Sequence, residues 1–186
     1  METSDVAREA LIAHISEYSV RTDGPFTLRS GEQSSWYIDA RQTTFDGTGA
    51  WIVGRAVLAE LPKNIDAVGG MTMGADPIAV ATAIASAEAG RSVGSFSIRK
   101  EEKDHGTGGR LVGPVGAGSR VVALEDTTTT GSALIEAIEA LLASDIEVVK
   151  AIALVDRSGD AARSRVEELG IPYVALVTPA DLGVEG

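Results

Sequence analysis

Val121-Val122-Ala123-Leu124-Glu125-Asp126-Thr127-Thr128-Thr129-Thr130-Gly131-Ser132-Ala133 is the stretch that decides the reading of this chain. Its first four residues are apolar and read as a buried strand of a parallel sheet. Past Ser132, the apolar residues Leu134, Ile135, Ile138, Leu141 and Leu142 recur at helical spacing. Strand, polar turn and helix put the Thr run at a strand's carboxyl end and a helix N-terminus, where open α/β sheets bind ligands. Free backbone N–H groups and the helix dipole favour a phosphate there. The Thr hydroxyls and the small Gly131 suit its close approach. Glu125 and Asp126 would repel a phosphate, so they call for another part of the same ligand. Sugar hydroxyls and a bound Mg²⁺ are the two partners that fit. The ligand implied is a ribose carrying a phosphate. The bland reading, an acidic strand end before an ordinary capped helix, accounts for each half but is less specific than the whole run. The chain has no Gly-x-x-x-x-Gly-Lys-Ser/Thr, which disfavours a P-loop nucleotidase.

At 186 residues the chain is long enough for one domain with a sizeable core. It is 44% hydrophobic and 4% aromatic, so the core must be built mainly from aliphatic residues and Ala, as suits a helix-covered sheet. The net charge of −11 and pI of about 4.6 argue against nucleic acid as a partner. A chain so acidic must gather its few cations wherever it binds an anion. The absence of cysteine excludes disulfides and thiolate zinc sites. Met1-Glu2-Thr3-Ser4-Asp5 lacks a cationic flank and a long apolar run. The expectation is no signal peptide, no membrane partner and a cytoplasmic location.

Taken in order, Ser4 or Asp5 caps a first helix whose apolar face is Val6, Ala10, Leu11 and Ile15, with His14 expected to be exposed. Phe26 to Arg41 reads as a hairpin or irregular flap, alternating around Leu28 and Trp36 to Ile38 and broken by Ser30-Gly31. A helix follows from Thr48 to Leu61, stopped by Pro62. Ile65 to Val68 is a short strand ending in Gly69-Gly70. Asp76 and Pro77 read as the N-cap and first residue of a helix to about Glu88. Between them, Gly69 to Gly74 forms a Gly-rich turn, a weak phosphate signal alone. Val93 to Ile98 is a strand, and Arg99 to Arg110 gathers cations among glycines, as a mobile loop able to fold over a ligand would. Val148 to Val155 is another strand, ending in Asp156-Arg157. There Arg157 can take a carboxylate bidentately, or pair with Asp156 or a neighbouring helix. Gly170 and Pro172 close a further helix, and Tyr173 to Val177 is the last strand. Strands alternating with helices imply a mostly parallel sheet covered on both faces.

Three motifs carry a family resemblance. The Glu-Asp and Thr-rich turn resembles the ribose-phosphate signature of the type I phosphoribosyltransferases, in the version found in orotate phosphoribosyltransferases. Arg99-Lys100-Glu101-Glu102-Lys103-Asp104-His105-Gly106 matches that family's Arg-Lys-x-x-Lys-x-His-Gly loop position for position. Phe26-x-Leu28-x-Ser30-Gly31 with Trp36-Tyr37 and Asp39 is similar to its N-terminal hood, with Arg29 where the family generally has Lys. The resemblance runs from Phe26 to about Arg157. It departs at Met73, where many family members carry Lys beside the last Gly of the pyrophosphate loop.

The resemblance implies a type I phosphoribosyltransferase fold as a single domain over 1–186, with a hood to roughly residue 45 and a core from roughly 46. It implies transfer of the phosphoribosyl group from phosphoribosyl pyrophosphate to orotate, with Mg²⁺ carried on substrate oxygens near Glu125 and Asp126. Lys100, Lys103, His105 and Asp126 would be catalytic. Phosphoribosyl pyrophosphate would be held by Arg29, Arg99, Lys100, Lys103, His105, Glu125 and Asp126. Its 5′-phosphate would lie in the turn Thr127, Thr128, Thr129, Thr130, Gly131, Ser132 and Ala133. Orotate would meet Thr129 and Arg157. The family also implies a homodimer with shared active sites. Two rivals differ in class: a phosphoribosyltransferase for another base, which should lack the Lys-rich loop and Arg157, and a non-catalytic ligand sensor on the same fold.

Overall fold

The computed structural model describes residues 4–27, 31, 33–101 and 109–184. Among these the chain runs through α1 (Ser4–Tyr18), β1 (Val20–Arg21), β2 (Phe26–Thr27), β3 (Gln33–Ser34) and β4 (Tyr37–Ile38). It continues through α2 (Arg41–Thr44), α3 (Gly47–Glu60), β5 (Ala67–Met71), α4 (Ala75–Glu88), β6 (Gly94–Ile98) and β7 (Leu111–Val112). β8 (Arg120–Thr128), α5 (Ser132–Leu142), β9 (Glu147–Asp156), α6 (Ala161–Glu168) and β10 (Tyr173–Val177) follow, and a 3₁₀ turn, Pro179–Leu182, closes the described chain. Among the described residues, six strands form one sheet in the order β10-β9-β8-β5-β6-β7. Every neighbouring pair is parallel except β6 with β7. Two short antiparallel ladders, β1 with β4 and β2 with β3, make up the flap.

β8 shows why its opening run is apolar throughout. Val122 and Leu124 pack with Leu11, Val53 and Ile78 on one face, whereas Val121 and Ala123 pack with Leu134, Ile138 and Val166 on the other. Alternate strand residues point to opposite faces. Both faces are covered, by α1, α3 and α4 on one side and α5 and α6 on the other, so the positions from Val121 to Leu124 are apolar without alternation. From β5 the chain moves outward to β6, and from β8 it moves outward the opposite way to β9. The strand order therefore reverses between β5 and β8. That reversal leaves a crevice at their carboxyl ends.

Four expectations need correction. β8 does not stop at Leu124 but runs to Thr128, because β9 keeps pairing with it through Thr127↔Val155 and Thr128↔Asp156. Gly69 and Gly70 lie within β5, where a Cβ would come 2.0 Å from the Phe96 carbonyl oxygen and 2.1 Å from that of Leu124. α4 begins at Ala75 with Gly74 as its cap residue, so Asp76 is not the N-cap and its carboxylate instead accepts from the Thr72 hydroxyl at 2.6 Å. On α1, Val6 and Ala10 face solvent, and Ala7, Leu11, His14 and Ile15 form the buried side. His14 tolerates burial because its ring nitrogens meet Thr43 Oγ1 at 3.2 Å and Asp46 at 3.4 Å.

Candidate active site

A cavity of about 670 Å³ occupies the crevice. It is lined by the end of β5 and its following turn, Glu125 and Asp126 of β8, the first turn of α5, and the cations Arg41 and Lys100.

The turn after β8 is held in shape by its own side chains. Gly131 has φ +77, and a Cβ there would lie 3.0 Å from Ala162 Cα, so both backbone and space demand glycine. The Gly131 N–H donates to Thr128 Oγ1 at 2.9 Å, and the Thr130 and Ser132 hydroxyls lie 3.0 Å apart. Arg165 of α6 donates to the Thr130 carbonyl at 2.6 Å and to Ser132 Oγ at 3.1 Å, bracing the turn from behind. α5 starts with no side-chain cap. The Ser132 N–H reaches Thr130 Oγ1 at 3.4 Å, and the next N–H groups of the first turn can meet an anion, with the helix dipole behind them.

Glu125 and Asp126 are adjacent strand residues on the cavity wall. Glu125 Oε2 is buried and has no hydrogen-bond partner among the described residues. Burial, and then the neighbouring Asp126 charge, push the Glu125 carboxyl up to about 8. Asp126 is also raised by burial, against the opposing effect of the Thr127 N–H, which donates to its Oδ1 at 2.7 Å. Gly74 keeps room for Asp126, since a Cβ there would sit 2.7 Å from Oδ1. A buried acid without a donor costs free energy. Hydroxyl donors or a cation brought by a ligand would relieve that cost. No cluster of three or more acidic or His side chains able to cage a metal occurs among the described residues. Two carboxylates with a free oxygen do fit a Mg²⁺ that arrives on substrate oxygens and keeps most of its ligands there.

Arg157 follows β9, and its N–H donates to the Thr128 carbonyl at 2.8 Å, tying the two strand ends together. Its guanidinium lies over the Trp36 ring, 4.0 Å from the centroid. Arg157 makes no ion pair with Asp156 among the described residues; that carboxylate accepts from the Tyr173 hydroxyl at 2.8 Å and the Ser158 N–H at 2.7 Å. Burial lowers the Arg157 pKa, and it has no ion-pair partner among the described residues. A half-buried, stacked and unpaired guanidinium beside an anion-binding turn is suited to a planar carboxylate.

Comparison with known proteins assigns this geometry. Residues 51–180 match the phosphoribosyl transferase domain model. An orotate phosphoribosyltransferase of Streptomyces avermitilis is 40% identical over 183 residues, covering 97% of this chain and 100% of that protein. One from Aquifex aeolicus is 40% identical over 179 residues, covering 94% and 97%. The chain belongs to the orotate phosphoribosyltransferase family. Among solved structures, the Mycobacterium tuberculosis orotate phosphoribosyltransferase bound to Fe(III) dicitrate superposes with a TM-score of 0.84 at 35% identity, over 96% of this chain and 99% of that one. The same enzyme in complex with phosphoribosyl pyrophosphate gives 0.78 at 31% identity, with the same coverage.

Of the residues that the orotate phosphoribosyltransferase pattern singles out, Glu125, Asp126, Ser132, Ala133 and Lys100 line one cavity. Thr127 and Thr128 end β8, Thr129 to Gly131 form the turn that follows, and the Arg157 N–H is tied to Thr128. Arg99 closes the end of β6, its N–H donating to the Arg110 carbonyl at 2.8 Å. Arg29, Lys103 and His105 lie outside the described residues. Three contributors escaped the sequence reading. Arg165 supports the Thr turn from a helix 33 residues away from Ser132. Arg110 donates to the Arg99 carbonyl at 2.7 Å and pairs with Glu136, which lines the cavity from α5. Arg41 lines the cavity from α2. Only Arg41 left a local signal, the Asp39-x-Arg41 spacing just after the aromatic pair.

Proposed function

We propose that this protein transfers the 5-phosphoribosyl group from phosphoribosyl pyrophosphate to orotate, giving orotidine 5′-monophosphate and pyrophosphate in pyrimidine biosynthesis. The observation that carries the reading is the shared setting of an uncapped helix N-terminus and an unpartnered buried carboxylate, with an unpaired guanidinium alongside. These are complementary to a sugar phosphate and an anionic base.

Displacement at the anomeric carbon needs no protein nucleophile, since a ring nitrogen of orotate attacks as pyrophosphate departs. Residues Thr127 to Ala133 hold the 5′-phosphate. Glu125 and Asp126 accept from the ribose hydroxyls and stabilise the positive charge that grows on the sugar. Arg157, and Thr129 of the turn, orient orotate. Arg99, Lys100, Lys103 and His105 answer the negative charge on the leaving group and Arg29 helps hold phosphoribosyl pyrophosphate, roles assigned from the family pattern. Glu125 and Asp126 would stand beside Mg²⁺ carried by the substrate, which supplies charge neutralisation and a template when bound.

The proposal includes one domain with a hood to about residue 45, a cytoplasmic location suited to phosphorylated substrates, and a homodimer with shared sites. Support for the dimer comes from apolar side chains left exposed on α3, on α4 and at the cavity. Val80 and Ile84, one turn apart on α4, are 51% and 58% exposed, and Trp51 on the adjoining α3 is 52% exposed. Met73, at the cavity itself, is 55% exposed. Among the described residues no helix is long and apolar enough to cross a membrane.

The test follows orotate loss by ultraviolet absorbance with phosphoribosyl pyrophosphate and Mg²⁺. Consumption of a purine base in place of orotate would move the protein to the first rival. Substrate binding without turnover of any base would leave the sensor.

A further inference from the structure

We propose that Arg41 is a further binding residue for the diphosphate of phosphoribosyl pyrophosphate, reaching it from the hood side of the cavity. The inference rests on the reading of this cavity as the phosphoribosyl pyrophosphate site.

Charge makes the case first. The cavity wall carries four carboxylates, from Glu101, Glu125, Asp126 and Glu136, and two cations, Arg41 and Lys100. A diphosphate brings several more negative charges into that wall. The turn Thr72-Met73-Gly74 contributes no cation to it. Arg110, the nearby alternative, is engaged with Glu136 and the Arg99 carbonyl. Among the described residues that line the cavity, Arg41 is, Lys100 aside, the cation that can answer the charge.

Geometry supports the same role. Arg41 opens α2, and Asp39 accepts from its Nε at 2.7 Å and from its Nη2 at 3.3 Å. Asp39 is itself held by the Arg41 backbone N–H at 3.2 Å and by Gln42 Nε2 at 3.3 Å. This bidentate brace fixes the plane of the guanidinium. Of the five N–H donors of an arginine, two serve Asp39, leaving three, including both on Nη1. The side chain is 48% exposed, so a ligand can reach those donors. Its charge also acts on Asp126 across the cavity. A braced arginine with free donors on an acidic cavity wall is a preorganised phosphate contact.

The competing role is purely structural, with Arg41 only tying the start of α2 to Asp39. Calorimetry with phosphoribosyl pyrophosphate and Mg²⁺, together with steady-state kinetics, separates the two in Arg41→Gln, Asp39→Asn and the double variant Arg41→Gln with Met73→Lys. Arg41→Gln should weaken phosphoribosyl pyrophosphate binding about tenfold or more, as loss of a charge-assisted contact does. The KM for orotate should stay within about twofold, since that ligand meets Arg157. Asp39→Asn leaves the donors in place and should lose clearly less. The double variant returns a cation to the same cavity from an exposed position, and should recover part of the affinity. Unchanged affinity in Arg41→Gln, equal losses for both substrates, an Asp39→Asn loss as large as that of Arg41→Gln, or no recovery in the double variant would each overturn the assignment. Wild-type protein that binds phosphoribosyl pyrophosphate but consumes no orotate would refute the proposed reaction while leaving the Arg41 test intact.

Discussion

Replacing Glu125 with Gln should make the ligand-free protein more stable than wild type at alkaline pH and erase a proton release on substrate binding. The Glu125 carboxyl is pushed up to about 8, against 4.5 for the group in water, by burial and the adjacent Asp126. Below about pH 4.5 both folded and unfolded chains carry the proton, and the folded state keeps the full benefit of its neutral acid. Between there and about pH 8 the unfolded chain releases the proton and the folded chain does not, so stability falls as pH rises. At about 1.4 kcal/mol per tenfold change in acidity, the span from 4.5 to about 8 sets a ceiling of about 5 kcal/mol. The open cavity admits water and screens the charge, so about 1–3 kcal/mol is the expected realised loss. Gln never ionises, and its advantage over wild type should grow by that amount between about pH 5 and about pH 8.5 in urea unfolding of the ligand-free protein. Ribose hydroxyls or a substrate-borne cation favour the ionised acid, so phosphoribosyl pyrophosphate binding near pH 7 should release about one proton. Calorimetry in buffers of different ionisation enthalpy reads that proton in wild type and should miss it in Glu125→Gln. The same stability difference at both pH values, with no proton release, would refute the idea of a carboxyl held neutral until its ligand arrives.

Arg157→Ala should weaken orotate binding by about 2–5 kcal/mol and leave phosphoribosyl pyrophosphate binding nearly intact by calorimetry; equal losses would assign Arg157 to bracing Trp36 alone. Asp126→Asn keeps the shape and removes the charge, so kcat should fall more than the KM for phosphoribosyl pyrophosphate rises, and an unchanged kcat would reduce Asp126 to a strand-end residue. Lys103→Ala and Asp126→Asn chains, unfolded and refolded together, should regain up to about a quarter of wild-type activity if each loop serves the neighbouring subunit. Mixed dimers verified by native mass spectrometry that regain nothing would place each loop on its own subunit.

The parts of the fold that were legible in the sequence are those that periodicity dictates. Val121 to Leu124 and Ala151 to Val155 are apolar on consecutive positions because helices cover both faces of β8 and β9. The end of β8 was not legible, for a physical reason. Glu125, Asp126 and the Thr run look like a turn by composition, yet the strand persists through Thr128 because β9 continues beside it. Asp76-Pro77 misled in the opposite way. The pair has the chemistry of a helix start, but α4 begins at Ala75, and Asp76 turns to the Thr72 hydroxyl. Local chemistry proposes a boundary, and tertiary pairing moves it by a few residues.

The site divides along the same line. Residues contiguous with the Thr turn were readable, since one strand-turn-helix unit brings them together whatever the rest of the chain does. Residues that reach the site through tertiary structure were not. Arg165 is visible only once α6 is laid against the turn, and Arg110 only once β7 returns beside β6. Arg157 shows both cases. Its position after an apolar strand marked it as a candidate, but its stacking on Trp36 and the engagement of Asp156 by Tyr173 and Ser158 are visible only in the folded chain. Those partners lie on a later strand and a later turn. The same logic applies to Glu125. A carboxylate after an apolar strand is unremarkable in a sequence; a buried carboxylate whose Oε2 finds no donor among the described residues marks a place where a ligand's donor would be stabilised.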